Sequence, residues 1–282
     1  MKKSYSIHTM RREELRMAID WAKREGWNPG LHDAEAFHAA EPVGYLVGEL
    51  DGIPVATISA VGYGRDFGFI GLYIVKEEYR GMGFGLAIWQ EACRRLDGRI
   101  VGLDGVVAQQ DNYRRSGFEL AYSHIRFRGR TTDDLASCRA RRLAPGDFNA
   151  ITALDEKYFG TVRRDFLRVF CFAPGTRTVG IDDGRGGLAG YGTIRPCGDG
   201  WKLGPVFAPD RDTAAALVDA LIATGTAGNF YWDVPEPNQA ALELAVGRFG
   251  MTRVFETARM YRGGKWELPV SGIWGTTTLE LG

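Results

Sequence analysis

Cysteine is scarce and scattered in this chain of 282 residues. Cys93, Cys138, Cys171 and Cys197 form no C-x-x-C pair and no Cys/His cluster. That excludes a disulfide scaffold and the common zinc spacings. The histidines show no H-x-x-x-H spacing, so no metal is implied. No apolar run approaches the length of a membrane span. Met1-Lys2-Lys3 leads into a polar segment, not the apolar core of a signal peptide. Excess charge of one sign is missing too. The 35 Lys and Arg balance 35 Asp and Glu, so no global field favours nucleic acid or an anionic membrane. The thiols are expected to be free, in a reducing, cytoplasmic compartment. The length suits two modest domains or one large one, and the composition is that of an ordinary globular chain.

Glycine is plentiful, and its placement between Leu72 and Leu96 is the most informative local pattern. The apolar run Leu72-Tyr73-Ile74-Val75 precedes Lys76-Glu77-Glu78-Tyr79. Then come Arg80-Gly81-Met82-Gly83-Phe84-Gly85 and an amphipathic run, Leu86 to Leu96. This predicts a strand, a glycine-rich turn and a helix. Such a turn presents backbone N–H groups before a helix N-terminus with partial positive charge, a natural seat for phosphate. Glycine removes the Cβ that would keep an anion away, and Arg80 adds a charged donor. A P-loop needs Lys-Ser/Thr after its last glycine, whereas Leu86-Ala87 follow here. The dinucleotide fingerprint G-x-G-x-x-G is not matched by the alternating Gly81, Gly83 and Gly85, although Asp104 lies about twenty residues on, where a ribose-binding acid would sit. An ordinary glycine-rich turn is the bland alternative.

Ser4 to Thr9 reads as a strand, Arg11 to Glu25 as an amphipathic helix stopped by Gly26, and Asp33 as the cap of a short helix holding Phe37. Tyr45 to Leu50 and Val55 to Val61 are strands joined at Asp51-Gly52. Phe67 to Val75, Ile100 to Asp104 and a strand through Phe127 follow, with helices over Leu86 to Leu96 and Gln109 to Ser116. This element order, the Arg80-x-x-Gly83-x-Gly85 loop and Tyr113-Arg114-Arg115-Ser116-Gly117-Phe118 resemble the GNAT N-acetyltransferases. Their loop reads Gln/Arg-x-x-Gly-x-Gly/Ala, and a Tyr-x-x-x-Gly-Phe segment follows the fifth strand.

The pattern then repeats at an offset of about 130 residues, which suggests a duplicated domain. Val179 to Gly184 echoes Val47 to Gly52, and Phe249-Gly250-Met251 to Tyr261 echoes Ser116-Gly117-Phe118 to Phe127. The resemblance implies an α/β (α+β) fold of two tandem GNAT-like domains, each a mixed, mostly antiparallel sheet flanked by helices. The expected division is 1–130 for the acyl-CoA domain, 131–142 for a linker, 143–265 for a degenerate GNAT-like domain and 266–282 for a tail. After the strand Lys202 to Ala208, the second copy has Pro209-Asp210-Arg211-Asp212-Thr213. It has no glycine, and its aspartates would repel pyrophosphate. This half either stabilises the first or walls its acceptor pocket.

The resemblance implies an acyl-CoA-dependent N-acetyltransferase that passes acetyl directly to an amine in a ternary complex. No cysteine sits in a nucleophile setting, which disfavours an acyl-enzyme. Acetyl-CoA as co-substrate would pair with the backbone of Tyr73, Ile74 and Val75. Its pyrophosphate would lie on Arg80, Gly81, Met82, Gly83, Phe84, Gly85, Leu86 and Ala87. Asn112 and Gln109 would reach the cofactor arm, and Tyr113 would protonate the departing sulfur. The family's usual glutamate near the fourth strand has no counterpart in Phe69 to Val75; Asp104 is the nearest candidate base by topology, with Asp66 before the fourth strand, a water chain or an amine already poised to deprotonate as alternatives. Trp27, Asn28 and Asp33, with Trp21, His32, Glu35 and Phe37 nearby, would form an aromatic and acidic rim for a cationic amine. The acceptor is a small-molecule or peptide amine; no nucleic acid or membrane partner is expected, and a homodimer is allowed. The tail Ile273 to Gly282 is apolar enough to dock as a strand, and some double-domain acetyltransferases bring the chain terminus to the active site. A non-catalytic acyl-CoA sensor is the rival reading, and a dinucleotide-binding protein the third.

Overall fold

The computed structural model describes residues 4–130, 139–224 and 228–282. The first half runs β1 (Tyr5–Thr9), α1 (Arg12–Arg24), α2 (Asp33–Ala40), β2 (Tyr45–Leu50), β3 (Ile53–Tyr63), β4 (Phe67–Val75), α3 (Phe84–Arg95), β5 (Ile100–Val106), α4 (Gln110–Arg115) and β6 (Glu119–Arg130). The second half repeats that order with β7 (Arg141–Arg142), α5 (Phe148–Phe159), α6 (Arg164–Phe170), β8 (Arg177–Asp182), β9 (Leu188–Cys197), β10 (Gly200–Phe207), α7 (Arg211–Ile222), β11 (Asn229–Pro235), α8 (Gln239–Glu243) and β12 (Thr252–Arg262). A last short strand, β13 (Ile273–Gly275), lies in the tail. Most of the expected linker, 131–138, lies outside the described residues; Arg141 and Arg142 are strand rather than linker, paired with Val179 and Gly180.

The halves share one sheet, ordered β1-β2-β3-β4-β5-β12-β6-β11-β10-β9-β8-β7. Each half lends its last strand to the other. β12 pairs with β5 of the first half, β6 pairs with β11 of the second, and β12 and β6 pair with each other. Two ion pairs lock the exchange. Asp104 on β5 holds Arg259 on β12 at 2.7 Å, and Asp233 on β11 holds Arg126 on β6 at 2.6 Å. All four side chains are buried.

Three apolar cores follow from this layout. One lies under α3, with Ile58, Ile70, Ile88, Trp89 and Leu103. Another lies under α7, with Ile194, Leu217, Leu221 and Trp232. The third is shared, bringing Leu15, Phe37 and Phe69 of the first half against Phe159, Phe166 and Tyr191 of the second. Burial at about 25 cal/mol per Å² makes such a shared core a large part of the stability of both halves. Among the described residues, no helix is long and apolar enough to cross a membrane.

Candidate active site

β4 and β5 run parallel only where Phe67–Ile70 faces Ile100–Leu103. Just beyond, the β3–β4 register slips between Thr57 and Ser59, and Leu72 takes a left-handed φ of 47°. A non-glycine residue in that region marks a bulge under strain. The strands then part, and Leu72–Val75 and Asp104–Val106 line the two walls of a cleft of about 590 Å³. The glycine turn closes one end. Gly83, at φ 89°, forms the N-cap of α3, so the first amides of that helix have no intrahelical partner. Gly81, Gly83, Gly85, Leu86 and Arg80 line the cleft; Met82, Phe84 and Ala87 do not. The Arg80 guanidinium is anchored by the Val75 carbonyl at 2.9 Å and by Glu25 at 2.6 Å, which fixes it at the cleft mouth.

Tyr113 reaches the cleft from α4, its ring tilted against that of Trp89 with centroids 5.4 Å apart. Its ring lies so close to Gly105 on β5 that a Cβ there would collide with it. Burial, with a smaller push from Tyr73, raises the phenol well above its usual range, so it keeps its proton. Asn112 instead is exposed, bonded to Gln109 and Arg115, and absent from the cleft wall; Gln109 is the residue of that pair that lines it.

Asp104 lines the cleft but is committed elsewhere. Its carboxylate accepts from Arg259 at 2.7 and 2.8 Å and faces His124 at 2.9 Å. Burial alone would raise its pKa; the Arg259 guanidinium and His124 outweigh that and hold it well below the carboxylate range. A carboxylate held so low is a poor proton acceptor near neutral pH.

Of the expected acceptor residues, only Trp27 borders the cleft. Asn28 bonds Cys197 and the Asp199 amide of the second half. Asp33 is buried in an ion pair with Arg195 at 2.9 Å and accepts from the Gly30 amide. These two residues join the halves because strands β9 and β10 pack beside them, a neighbour that local sequence does not reveal.

The second half completes the cleft. Phe255 and Thr257 on β12 and Leu279 and Glu280 of the tail line it, together with Arg126 on β6. The second half's own equivalent gap is filled. β10 and β11 pair only over Trp201–Leu203 and Phe230–Trp232, and β13 enters where they part, pairing with Val206 and Phe207. The Asp210 carboxylate caps α7 by accepting from the Thr213 amide at 2.8 Å, so the seat an anion would need is taken. Glu280 had no motif to announce it; its signal was one acid between Leu279 and Leu281 in an apolar tail.

Residues 7–118 match the profile described as the acetyltransferase (GNAT) family, and residues 151–274 match that of an acetyltransferase (GNAT) domain. The holothin acyltransferase of a Pseudoalteromonas species is 31% identical over 280 residues, covering 96% of this chain and 92% of that one. An uncharacterised N-acetyltransferase, YitH of Bacillus subtilis, is 30% identical over 175 residues, 59% of this chain and 60% of its own. Among solved structures, a proposed acetyltransferase from Pyrococcus horikoshii superposes with a TM-score of 0.83 at 21% identity, covering 99% of this chain and 96% of its own. A tandem GNAT protein from the clavulanic acid biosynthesis pathway gives 0.63 at 12% identity, covering 94% and 100%. With a family profile on each half and a relative aligned nearly end to end, the chain belongs to the GNAT acyltransferase family as a member with two tandem GNAT domains.

Proposed function

We propose that the chain transfers an acyl group, acetyl in the first instance, from acyl-CoA directly to a primary amine in a ternary complex. One observation carries this reading: the β4–β5 cleft, bounded by free strand edges and closed by the glycine turn at the α3 N-terminus. The pantetheine arm would add to the edge of Tyr73, Ile74 and Val75. Its amides would find the backbone partners that β5 leaves free. The pyrophosphate would sit at Gly81–Leu86 beside Arg80. Tyr113, neutral and facing the cleft, would donate its proton toward the departing thiolate. Trp27 and Phe255 would wall the acceptor. Asp104 then acts as a structural ion-pair partner, and Asn112 has no direct part. The related holothin acyltransferase supports acyl transfer and makes holothin the first acceptor to try, with longer acyl-CoAs beside acetyl-CoA.

Calorimetry with acetyl-CoA tests the cleft, and thiol release with holothin and simple amines tests the transfer. Gly83→Leu forces a side chain onto φ 89° and should weaken acetyl-CoA roughly tenfold, the equivalent of about 1.4 kcal/mol. No binding by the wild type at millimolar acetyl-CoA would end the proposal. Binding without thiol release from acyl-CoA in the presence of any nucleophile would leave a cofactor sensor instead.

A further inference from the structure

The C-terminal tail leaves the second half and ends inside the first. After β13 the Thr276 amide donates to the Asp233 carbonyl at 2.9 Å. Arg163 then holds Thr277 by its hydroxyl at 2.7 Å, and the Tyr63 hydroxyl donates to the Leu281 carbonyl at 3.0 Å. Between these clamps stand Leu279 and Glu280, on the cleft wall. The Glu280 backbone crosses β4 at Gly71, so closely that a Cβ on Gly71 would collide with the Glu280 carbonyl. Gly71 is the residue before the Leu72 bulge, where the cleft opens.

Glu280 is only 3% exposed, and among the described residues no protein donor bonds its buried Oε2. Thr257 Oγ1, on the same cleft wall, is likewise buried without a partner. Buried polar atoms left unbonded by the protein are costly, so two such residues lining one cavity offer hydrogen-bonding capacity to a polar guest there. Three basic side chains of the sheet feel the charge of the Glu280 carboxylate, and each is engaged elsewhere. Arg126 on β6 is committed to Asp233, Arg195 on β9 to Asp33, and Lys202 on β10 donates to the Trp27 carbonyl at 3.4 Å. They supply countercharge and leave the buried Oε2 unbonded.

We infer that Glu280, carried into the first half's cleft by the tail of the second, is the proton acceptor for the attacking amine. The inference rests on the acyl-transfer reading above. The acceptor arrives as an ammonium; Glu280 takes one proton and frees the nitrogen lone pair. That pair attacks the thioester carbonyl carbon, the C–N bond forms and the C–S bond breaks with its electrons on sulfur. The nitrogen's second proton leaves as the amide forms, and the thiolate is protonated to CoA thiol. Glu280 returns its proton to water. The strand-four acid missing from Phe69–Val75 is thus replaced from the far end of the chain.

The test compares two kinds of nucleophile with acetyl-CoA in the full-length wild type, Glu280→Gln and Glu280→Asp. Benzylamine, tyramine and spermidine are ammonium ions near neutral pH and need deprotonation. Hydroxylamine is already mostly neutral and does not. Glu280→Gln should bind acetyl-CoA as the wild type does, lose alkylamine turnover by about 100-fold or more, and keep hydroxylamine transfer within a few fold. Glu280→Asp should recover part of the alkylamine rate. Undiminished alkylamine turnover in Glu280→Gln, equal losses with both nucleophiles, or a wild type that accepts hydroxylamine but no ammonium would each overturn the inference. Failure of the wild type with every nucleophile would overturn the acyl-transfer reading itself, and this role with it.

Discussion

Gly71 is the residue on which the geometry of the cleft turns. Its φ is ordinary, so backbone freedom is not the reason for glycine there. The reason is space: the Glu280 carbonyl lies where a Cβ would be, and that obstacle is backbone, which cannot rotate away. Gly71→Ala should therefore lift the tail off β4. We expect a loss of about 1–3 kcal/mol, the usual cost of overpacking, with a fall in alkylamine turnover larger than any change in acetyl-CoA binding. Gly146→Ala, with open space around it, is the control and should leave both unchanged. Differential scanning calorimetry and thiol-release kinetics read the two effects. A Gly71→Ala protein with unaltered stability and rate would mean that the tail contact is loose. The residues the sequence revealed least are of this kind. Arg80 to Ala87 could be read as a turn because its chemistry is local. Glu280 stands more than two hundred residues from Gly71 in the chain, and no spacing rule connects them.

Exchange of β6 and β12 is the feature that element-level reading could not supply. Both strands follow a Gly-Phe or Gly-Met turn and carry similar alternating residues, so either fits beside β5 or β11. Period-two alternation reports which face is buried, not which neighbour pairs. The order of the ten elements was legible in the first half, and in the second a few echoed segments showed the repeat. The partners of β6 and β12 were not legible, and neither were the ion pairs that specify them. Asp104–Arg259 and Asp233–Arg126 are equivalent in the two halves, and each joins a strand of one half to the borrowed strand of the other. Asp104 was legible as a strand-end acid, but its guanidinium partner lies in the other half. If the pair specifies strand choice, Asp104→Asn should cost about 3–5 kcal/mol, because Arg259 is left buried without its countercharge. Replacing both, Asp104→Leu with Arg259→Met, should recover most of that loss. Chemical denaturation of the single and double variants measures it. A single variant as stable as the wild type would show that β12 holds its place by backbone pairing and packing alone.

At the scale of the whole molecule, the two halves share one sheet and one core. Three buried carboxylates cross between them: Asp33 to Arg195, Asp104 to Arg259 and Asp233 to Arg126. In each, burial pushes the aspartate up, but the facing arginine outweighs it, and the folded pKa is depressed. For a depressed carboxylate the unfolded chain binds more protons in the interval between the two values, so the stabilisation is complete above the unfolded pKa, about 3.9 for aspartate. It is lost as pH falls through the folded values, on the acid side of that point. Acidification should therefore remove links that both halves share, with the shared core of Phe37, Phe69, Phe159 and Phe166 opening at the same time. The expected outcome is one acid transition, with coincident midpoints for both halves. Two reporters read it, a variant with Trp89 as its only tryptophan in the first half and one with Trp232 in the second. Each is first matched to the wild type in circular dichroism. Asp33→Asn should move both midpoints toward neutral pH together, although Asp33 belongs to the first half alone. Midpoints that separate, or a shift confined to the Trp89 reporter, would mean that the halves unfold as independent domains despite the exchanged strands.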